Sequence, residues 1–322
     1  MNPDRFMDDI LAEPETLERV LAGYAGPGSP LVALGSDPLQ GRRVVLIGMG
    51  SSRFAALTVA GLLRVRGITA VAEYASTDTP VMPAADVLAI GISASGTTEE
   101  TVQALARHCG TSRTIAVTNA PDARLREVAD HVLPLLAGRE HGGVACRTFQ
   151  ATLAVLLRLA GAAHEELVPA VAAQAALLDR RDEWLAPLTA MLEGAHAINT
   201  VAPAARLSSA LQSALMLREG PRIPAYGAET GDWLHVDVYL SKYPGYLAVL
   251  FGGSRYDEGL MEWARERGST VVAVGRPVQD AALHISFDRP DDPYVCTLVE
   301  TSVVELAAAD WWRRRLQAGA MP

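Results

Sequence analysis

Short apolar runs of strand length alternate with amphipathic helical stretches along most of this chain, and that alternation leaves few folds open. Strand-like runs lie at 43–47, 69–73, 87–92, 114–118 and 131–135, with helical patterns between them, notably over 53–66 and 98–108. Strands separated by helices pair in parallel through crossovers, and the helices then cover both faces of the sheet. A long Ala/Leu-rich region over 149–192 reads as two helices that connect one set of elements to the next. The same grammar then recurs: strand 195–201, helix 204–219, strand 246–251, helix 257–267, strand 270–274 and a tail helix over 298–316. A repeated rhythm without repeated residues predicts a duplicated α/β unit. The expected division is an N-terminal helical segment over 1–40, a first lobe over 41–165, a connecting helix over 166–192 and a second lobe over 193–322 that includes the C-terminal helix. With 322 residues, 49% of them apolar, the chain can bury a core in each lobe.

Charge and cysteine content narrow the partners. The formal net charge of -9 gives no global field that attracts nucleic acid or an anionic membrane, so an anionic ligand has to be caught locally. Cys109, Cys146 and Cys296 are too widely spaced for a disulfide framework or a zinc ligand set, which fits a reducing compartment. Residues 1–10 carry Asp4, Asp8 and Asp9 where a signal peptide has a basic region and an apolar run, and no apolar stretch has bilayer-spanning length. The expected setting is cytoplasmic, with neither nucleic acid nor membrane as partner.

Open α/β sheets bind ligands beyond the carboxyl ends of their strands, and two loops there are rich in small and hydroxyl residues. The first is Gly48-Met49-Gly50-Ser51-Ser52-Arg53; the second is Ser93-Ala94-Ser95-Gly96-Thr97-Thr98-Glu99-Glu100. Small residues let the backbone approach a ligand, hydroxyls donate hydrogen bonds, and the free amides of a helix N-terminus carry partial positive charge. Such a phosphate cradle needs no lysine, and Lys242 is the only lysine in the chain. Plainer readings compete: Thr97 with Glu100 fits a capping box, and Ser95 fits turn chemistry. Gly48-x-Gly50 also matches the start of a dinucleotide fingerprint, with Glu73 near the place of a ribose-binding acid. Arg53 then falls at the third glycine position, where a side chain obstructs close helix packing. Two hydroxyl loops fit one phosphate better than a pyrophosphate.

These loops resemble those of sugar isomerase (SIS) domains, especially the double-domain isomerase portion of glucosamine-6-phosphate synthase. The resemblance runs nearly end to end. Ile10-Leu11-Ala12-Glu13-Pro14 is similar to the family's N-terminal lead-in, Gly50-Ser51-Ser52 to its Gly-Thr-Ser turn, and Ser93-Ala94-Ser95-Gly96-Thr97-Thr98 to its Ser-Gln-Ser-Gly-Glu-Thr loop. Gly143-Val144-Ala145-Cys146-Arg147-Thr148 resembles Gly-Val-Ala-Ser-Thr-Lys. Ala214-Leu215-Met216-Leu217-Arg218-Glu219 resembles the helix end that carries the isomerising glutamate, and Trp233-Leu234-His235 falls where the family has Leu-Lys-His. The resemblance implies two flavodoxin-like three-layer αβα lobes with parallel sheets and added terminal helices. It implies a sugar phosphate bound between the lobes, its phosphate held by Ser52, Ser93, Ser95 and Thr98 with the Gly50, Ser51 and Gly96 backbone, and Cys146 lining the sugar site. It further implies Glu219 and His235 as catalytic residues, no cofactor or metal, and a homodimer whose active site is shared.

Chemistry supports the pair. Moving a carbonyl between C1 and C2 needs a base that takes a proton from one carbon and returns it to the other through an enediol. Ring opening needs a separate proton shuttle, and histidine changes charge near neutral pH. Against this, a helix-end glutamate is usually solvated, and His235, flanked by Leu234 and Val236, also fits a satisfied core position. The chain departs from the synthase as well. With the chain opening on the isomerase lead-in, no glutamine-hydrolysing activity is expected, and its tail of Trp311-Trp312-Arg313-Arg314-Arg315 lacks the lysine that forms a Schiff base. Met216 and Arg147-Thr148 stand where the family has lysines, and arginine forms no Schiff base at neutral pH. What remains suits an aldose-ketose isomerase of a sugar or amino-sugar phosphate, equally a fructosamine-phosphate deglycase or deaminase, or a sensor that binds without catalysis. Among lesser features, Gly252-Gly253-Ser254-Arg255 reads as a structural turn at the place equivalent to the phosphate loop. The Asp288, Asp291 and Asp292 cluster reads as a solvated loop, and the 313–315 arginines as the end of the tail helix.

Overall fold

The computed structural model describes residues 1–320. It contains two five-stranded parallel sheets. The first comprises β1 (Arg43–Gly48), β2 (Ala70–Tyr74), β3 (Val87–Ile92), β4 (Arg113–Thr118) and β5 (His131–Pro134), ordered β2-β1-β3-β4-β5. The second comprises β6 (Ala197–Ala202), β7 (Ala225–Glu229), β8 (Tyr246–Phe251), β9 (Thr270–Val274) and β10 (Leu283–Ile285), ordered β10-β9-β8-β6-β7. Numbered from its own first strand, each sheet has the order 2-1-3-4-5, the flavodoxin-like winding, so the duplication is one of topology. β7 and β10 escape the sequence pattern because Ala-Tyr-Gly-Ala-Glu is not an apolar run and β10 is only three residues long.

The chain forms two compact units whose segments interleave in sequence. One takes Glu15–Arg139 and Arg147–Val168; the other takes Met1–Pro14, Glu140–Cys146 and the chain from Pro169 onward. The 1–40 segment therefore divides after Pro14, and a strip of chain ahead of Arg147 packs with the second sheet's unit. In the first unit, β3 is buried along its whole length, as a parallel strand covered on both faces must be. The Tyr24 hydroxyl donates to the Pro134 carbonyl at 2.8 Å and so ties the N-terminal helical segment to the end of β5.

In the second unit, the helix Thr301–Gln317 is buried from Thr301 through Trp312 and packs against the helices Pro3–Leu11, Arg181–Glu193 and Leu207–Glu219. A helix buried on all sides is expected to be wholly apolar, yet this one carries Glu305 and Asp310. Asp310 accepts from Arg313 and Arg314, each at 2.7 Å, which gives the tail arginines local partners. Adjacent residues of β6 fix what covers each face of the sheet. Thr200 donates to the Ala210 carbonyl at 2.6 Å, which puts Leu207–Glu219 on its face. A Cβ on Gly227, the β7 partner of Thr200, would come within 2.8 Å of that same carbonyl oxygen, so the helix sits as close as glycine allows. Asn199 points the other way, toward Asp237, and Val201 joins Ala228, Trp233 and Val238 in the apolar cluster on that opposite face. Among the described residues no helix is long and apolar enough to cross a membrane.

Candidate functional site

In a 2-1-3-4-5 sheet, the connections leave strands 1 and 3 in opposite directions, and a crevice opens where they part. In the first unit that point lies between β1 and β3, whose last residues, Gly48 and Ile92, are paired. The two hydroxyl loops therefore start side by side. After β1 the chain turns at Gly50, with φ of 48°, straight into the helix Gly50–Val65. A Cβ on Gly48 would lie 3.1 Å from the Ser52 Cβ and 3.3 Å from the Ile92 oxygen, so glycine lets the loops approach this closely. Met49 caps the helix without a side-chain hydrogen bond. Among the described residues, the Ser51 and Ser52 hydroxyls have no protein partner.

After β3 the hydroxyls bond chiefly to one another. Ser93 Oγ lies 3.0 Å from Thr98 Oγ1 and 3.5 Å from Ser95 Oγ, and it accepts the Gly96 amide at 3.1 Å. Ser95 Oγ accepts from the Thr97 amide and hydroxyl. Gly96 has φ of 65°, and a Cβ there would meet Ala123 at 2.7 Å and Thr118 Oγ1 at 2.9 Å, so the end of β4 holds the loop from behind. The capping box of Thr97 and Glu100 does not form. Thr98 is the cap of the helix Glu99–Ala106, and its hydroxyl bonds to Ser93 instead. Glu99, whose charge opposes anion binding, is engaged by Arg124 at 2.6 Å, and this partner holds its carboxyl below the usual range. Arg53 stacks over the Tyr74 ring at 3.6 Å.

The other expected residues lie in the second unit. Cys146 is fully buried, with its amide donating to Glu140 at 2.8 Å. Glu219 ends the helix Leu207–Glu219. It is accessible to solvent, yet the protein crowded around its carboxyl disfavours the charge and pushes its pKa up, partly offset by Arg218. His235 is exposed, which removes the core-histidine reading. It follows Trp233, which packs on the face of the second sheet opposite the helix Leu207–Glu219. Next to this histidine, Asp237 is pushed up by burial and by Asp232, a residue that no sequence motif marked.

The second sheet's own crossing point, between β6 and β8, is filled by protein. Asp257 accepts the Gly253 amide at 2.6 Å and the Ser254 amide at 3.0 Å. The buried Arg206 donates to the Gly252 carbonyl at 2.6 Å and pairs with Glu300 at 3.1 Å. Gly252 to Arg255 is thus a structural turn. Asp292 caps the helix Pro293–Val299, and Asp291 pairs with Arg276 at 2.6 Å; among the described residues no acidic, histidine or cysteine cluster has metal-binding geometry.

Residues 39–162 match the family described as the SIS domain. A glutamine–fructose-6-phosphate aminotransferase of Gloeobacter violaceus is 27% identical over 85% of this chain and 48% of its own length, and the chain spans about half the length of the curated relatives it matches. Among solved structures, the C-terminal domain of glucosamine-fructose-6-phosphate aminotransferase from Francisella tularensis superposes with a TM-score of 0.82 at 17% identity, covering 96% of both chains. The tagatose-6-phosphate ketose/aldose isomerase of Escherichia coli superposes with a TM-score of 0.79 at 16% identity, over 95% of this chain and 92% of that one. At such identities the structures share a fold.

Proposed function

Residues 39–162 form a SIS domain in a chain homologous to the isomerase domain of glucosamine-fructose-6-phosphate aminotransferase, and on that premise we propose that the protein is a phosphosugar isomerase. The reaction is aldose-ketose interconversion of a sugar or amino-sugar phosphate. Ser52, Ser93, Ser95 and Thr98 hold the phosphate with the Gly50, Ser51 and Gly96 backbone. Cys146, which has no exposed surface, backs the sugar site from beneath, Glu219 moves the proton between C1 and C2, and His235 opens the ring. One observation carries the reading. Two hydroxyl loops start from paired residues at the β1/β3 crossing, and among the described residues no carboxylate bonds to their amides.

The packing of the Glu219 helix and the Trp233–Val238 segment on opposite faces of the sheet supports a site shared by two copies, in which the imidazole comes from the neighbouring chain. A raised Glu219 carboxyl suits a base that must accept a proton and give it back, and it puts the acid limb of the activity profile above the ordinary glutamate range.

The test is exchange of solvent deuterium into hexose, hexosamine and fructosamine phosphates. Exchange at C1 or C2 that falls roughly 10²–10⁴-fold in Glu219→Gln supports the assignment. Release of amine turns it to a deaminase or deglycase, and binding without exchange turns it to a sensor. For the shared site, Glu219→Gln and His235→Ala proteins, each inactive alone, regain about a quarter of native activity when their subunits are mixed at equal amounts, because half of the dimers then carry one intact site. No recovery overturns the sharing.

A further inference from the structure

Behind Cys146, the second unit buries several acidic side chains that the proposed chemistry leaves unused. Glu305, in the middle of the helix Thr301–Gln317, has no exposed surface, and Glu13 is 1% exposed. Glu13 accepts from Gln174 and from the Ser302 hydroxyl, each at 2.7 Å. Glu305 faces Glu13 and Gln212, with Glu140 nearby, and neither of its oxygens has a well-aligned donor. Burial, then the adjacent Glu13 and Glu140 carboxylates, push its carboxyl well above the usual glutamate range.

Gln212 joins this group to the strip Glu140–Cys146. Its Nε2 donates to the Ala145 carbonyl at 2.8 Å. A carbonyl can only accept, so this contact fixes which end of the amide faces the strip. The strip is tied down along its length. Asp9 Oδ2 accepts the His141 amide at 2.6 Å and the Gly142 amide at 2.7 Å, and Glu140 folds back onto the Cys146 amide. A Cβ on Gly142 would fall 2.5 Å from the Phe6 Cα, so the strip lies directly on the helix Pro3–Leu11. Gln212 also belongs to the helix that ends in Glu219. One side chain therefore fixes the Cys146 strip relative to the Glu219 helix.

Apolar side chains would fill this volume at lower cost, since buried carboxyl groups are expensive to desolvate. What hydrogen bonds supply and apolar packing does not is direction. Resting on the isomerase reading above, we propose that Gln212 and Glu305 are positioning residues that set the Ala145–Cys146 backbone against Glu219 for proton transfer.

The closing experiment compares Gln212→Leu, Glu305→Leu and Glu305→Gln in the full chain. The leucine variants keep native or higher thermal stability, bind phosphosugar within about twofold of native and lose about tenfold or more in kcat. Glu305→Gln, neutral and able to hydrogen-bond, recovers most of kcat. A second reading does not depend on catalysis: in Gln212→Leu, amide hydrogen exchange of peptides covering 140–146 speeds up by about tenfold or more. Native exchange in that peptide, or native kcat in Gln212→Leu, overturns the proposal, as does a glutamine variant no better than the leucine one. If the native protein turns over no phosphosugar, the isomerase reading falls, and amide exchange alone decides whether Gln212 holds the strip.

Discussion

The two sheets share a winding, and their crossing points end in opposite states. At β1/β3 the loops present hydroxyls and helix-end amides, and among the described residues none of those amides donates to a carboxylate. At β6/β8 the corresponding loop amides are already taken by Asp257, and Arg206 closes the carbonyl side through Gly252 and Glu300. Topology thus determines where a ligand crevice can form, and a few side chains determine whether it stays open. The filled point shows what the open one lacks, which is an anion received by backbone amides.

The largest effect expected from this contrast is at Gly96. Alanine there meets both a left-handed backbone and a 2.7 Å approach to Ala123, so the loop has to shift. Gly96→Ala is expected to weaken phosphosugar binding about 100-fold, whereas Ser254→Ala in the second loop leaves affinity unchanged, both by calorimetric titration. Equal losses would break the division of roles between the two crossing points.

A smaller change sharpens the comparison from the other side. Asp257→Ala frees the Gly253 and Ser254 amides and removes two hydrogen bonds to a carboxylate, a loss of about 1–3 kcal/mol. Phosphosugar affinity at the first sheet should hold, while inorganic phosphate should raise the melting temperature of the variant more than that of the native protein. A native-like response to phosphate would show that Asp257 does not occupy an anion position.

Much of this was legible in the residues and some was not. The alternation of strands and helices gave every strand of both sheets except β7 and β10, because parallel strands covered on two faces are apolar along their length. Gly48, Gly96 and the serines marked the open crossing point because close backbone approach restricts residue choice. β7 stayed hidden because Gly227 serves the helix packed on it, not the strand pattern. The strip Glu140–Cys146 also gave no local signal of its unit, since its partners, Asp9 and Gln212, are remote in sequence. Glu305 did leave a trace, a single acid among Val303, Val304, Leu306 and Ala307, where an amphipathic helix would place more.

The smallest expected effect concerns how the two crossing points respond to pH. Asp257 is pushed up by burial, with its two amide donors, Arg206 and Arg276 acting in the opposite direction. With the folded value above the unfolded one, the native state keeps a proton that the unfolded chain has already lost. Stability from this group is therefore complete below the ordinary aspartate range and declines as pH rises through the folded value. Asp257→Asn removes the titration, so unfolding by denaturant at a series of pH values should show a flatter decline above the ordinary aspartate range in the variant than in the native protein. Ser93→Ala, at the crossing point without a carboxylate, should leave the native slope intact. A slope altered by Ser93→Ala and untouched by Asp257→Asn would reverse the contrast, placing the titrating group at the open point and not at the filled one.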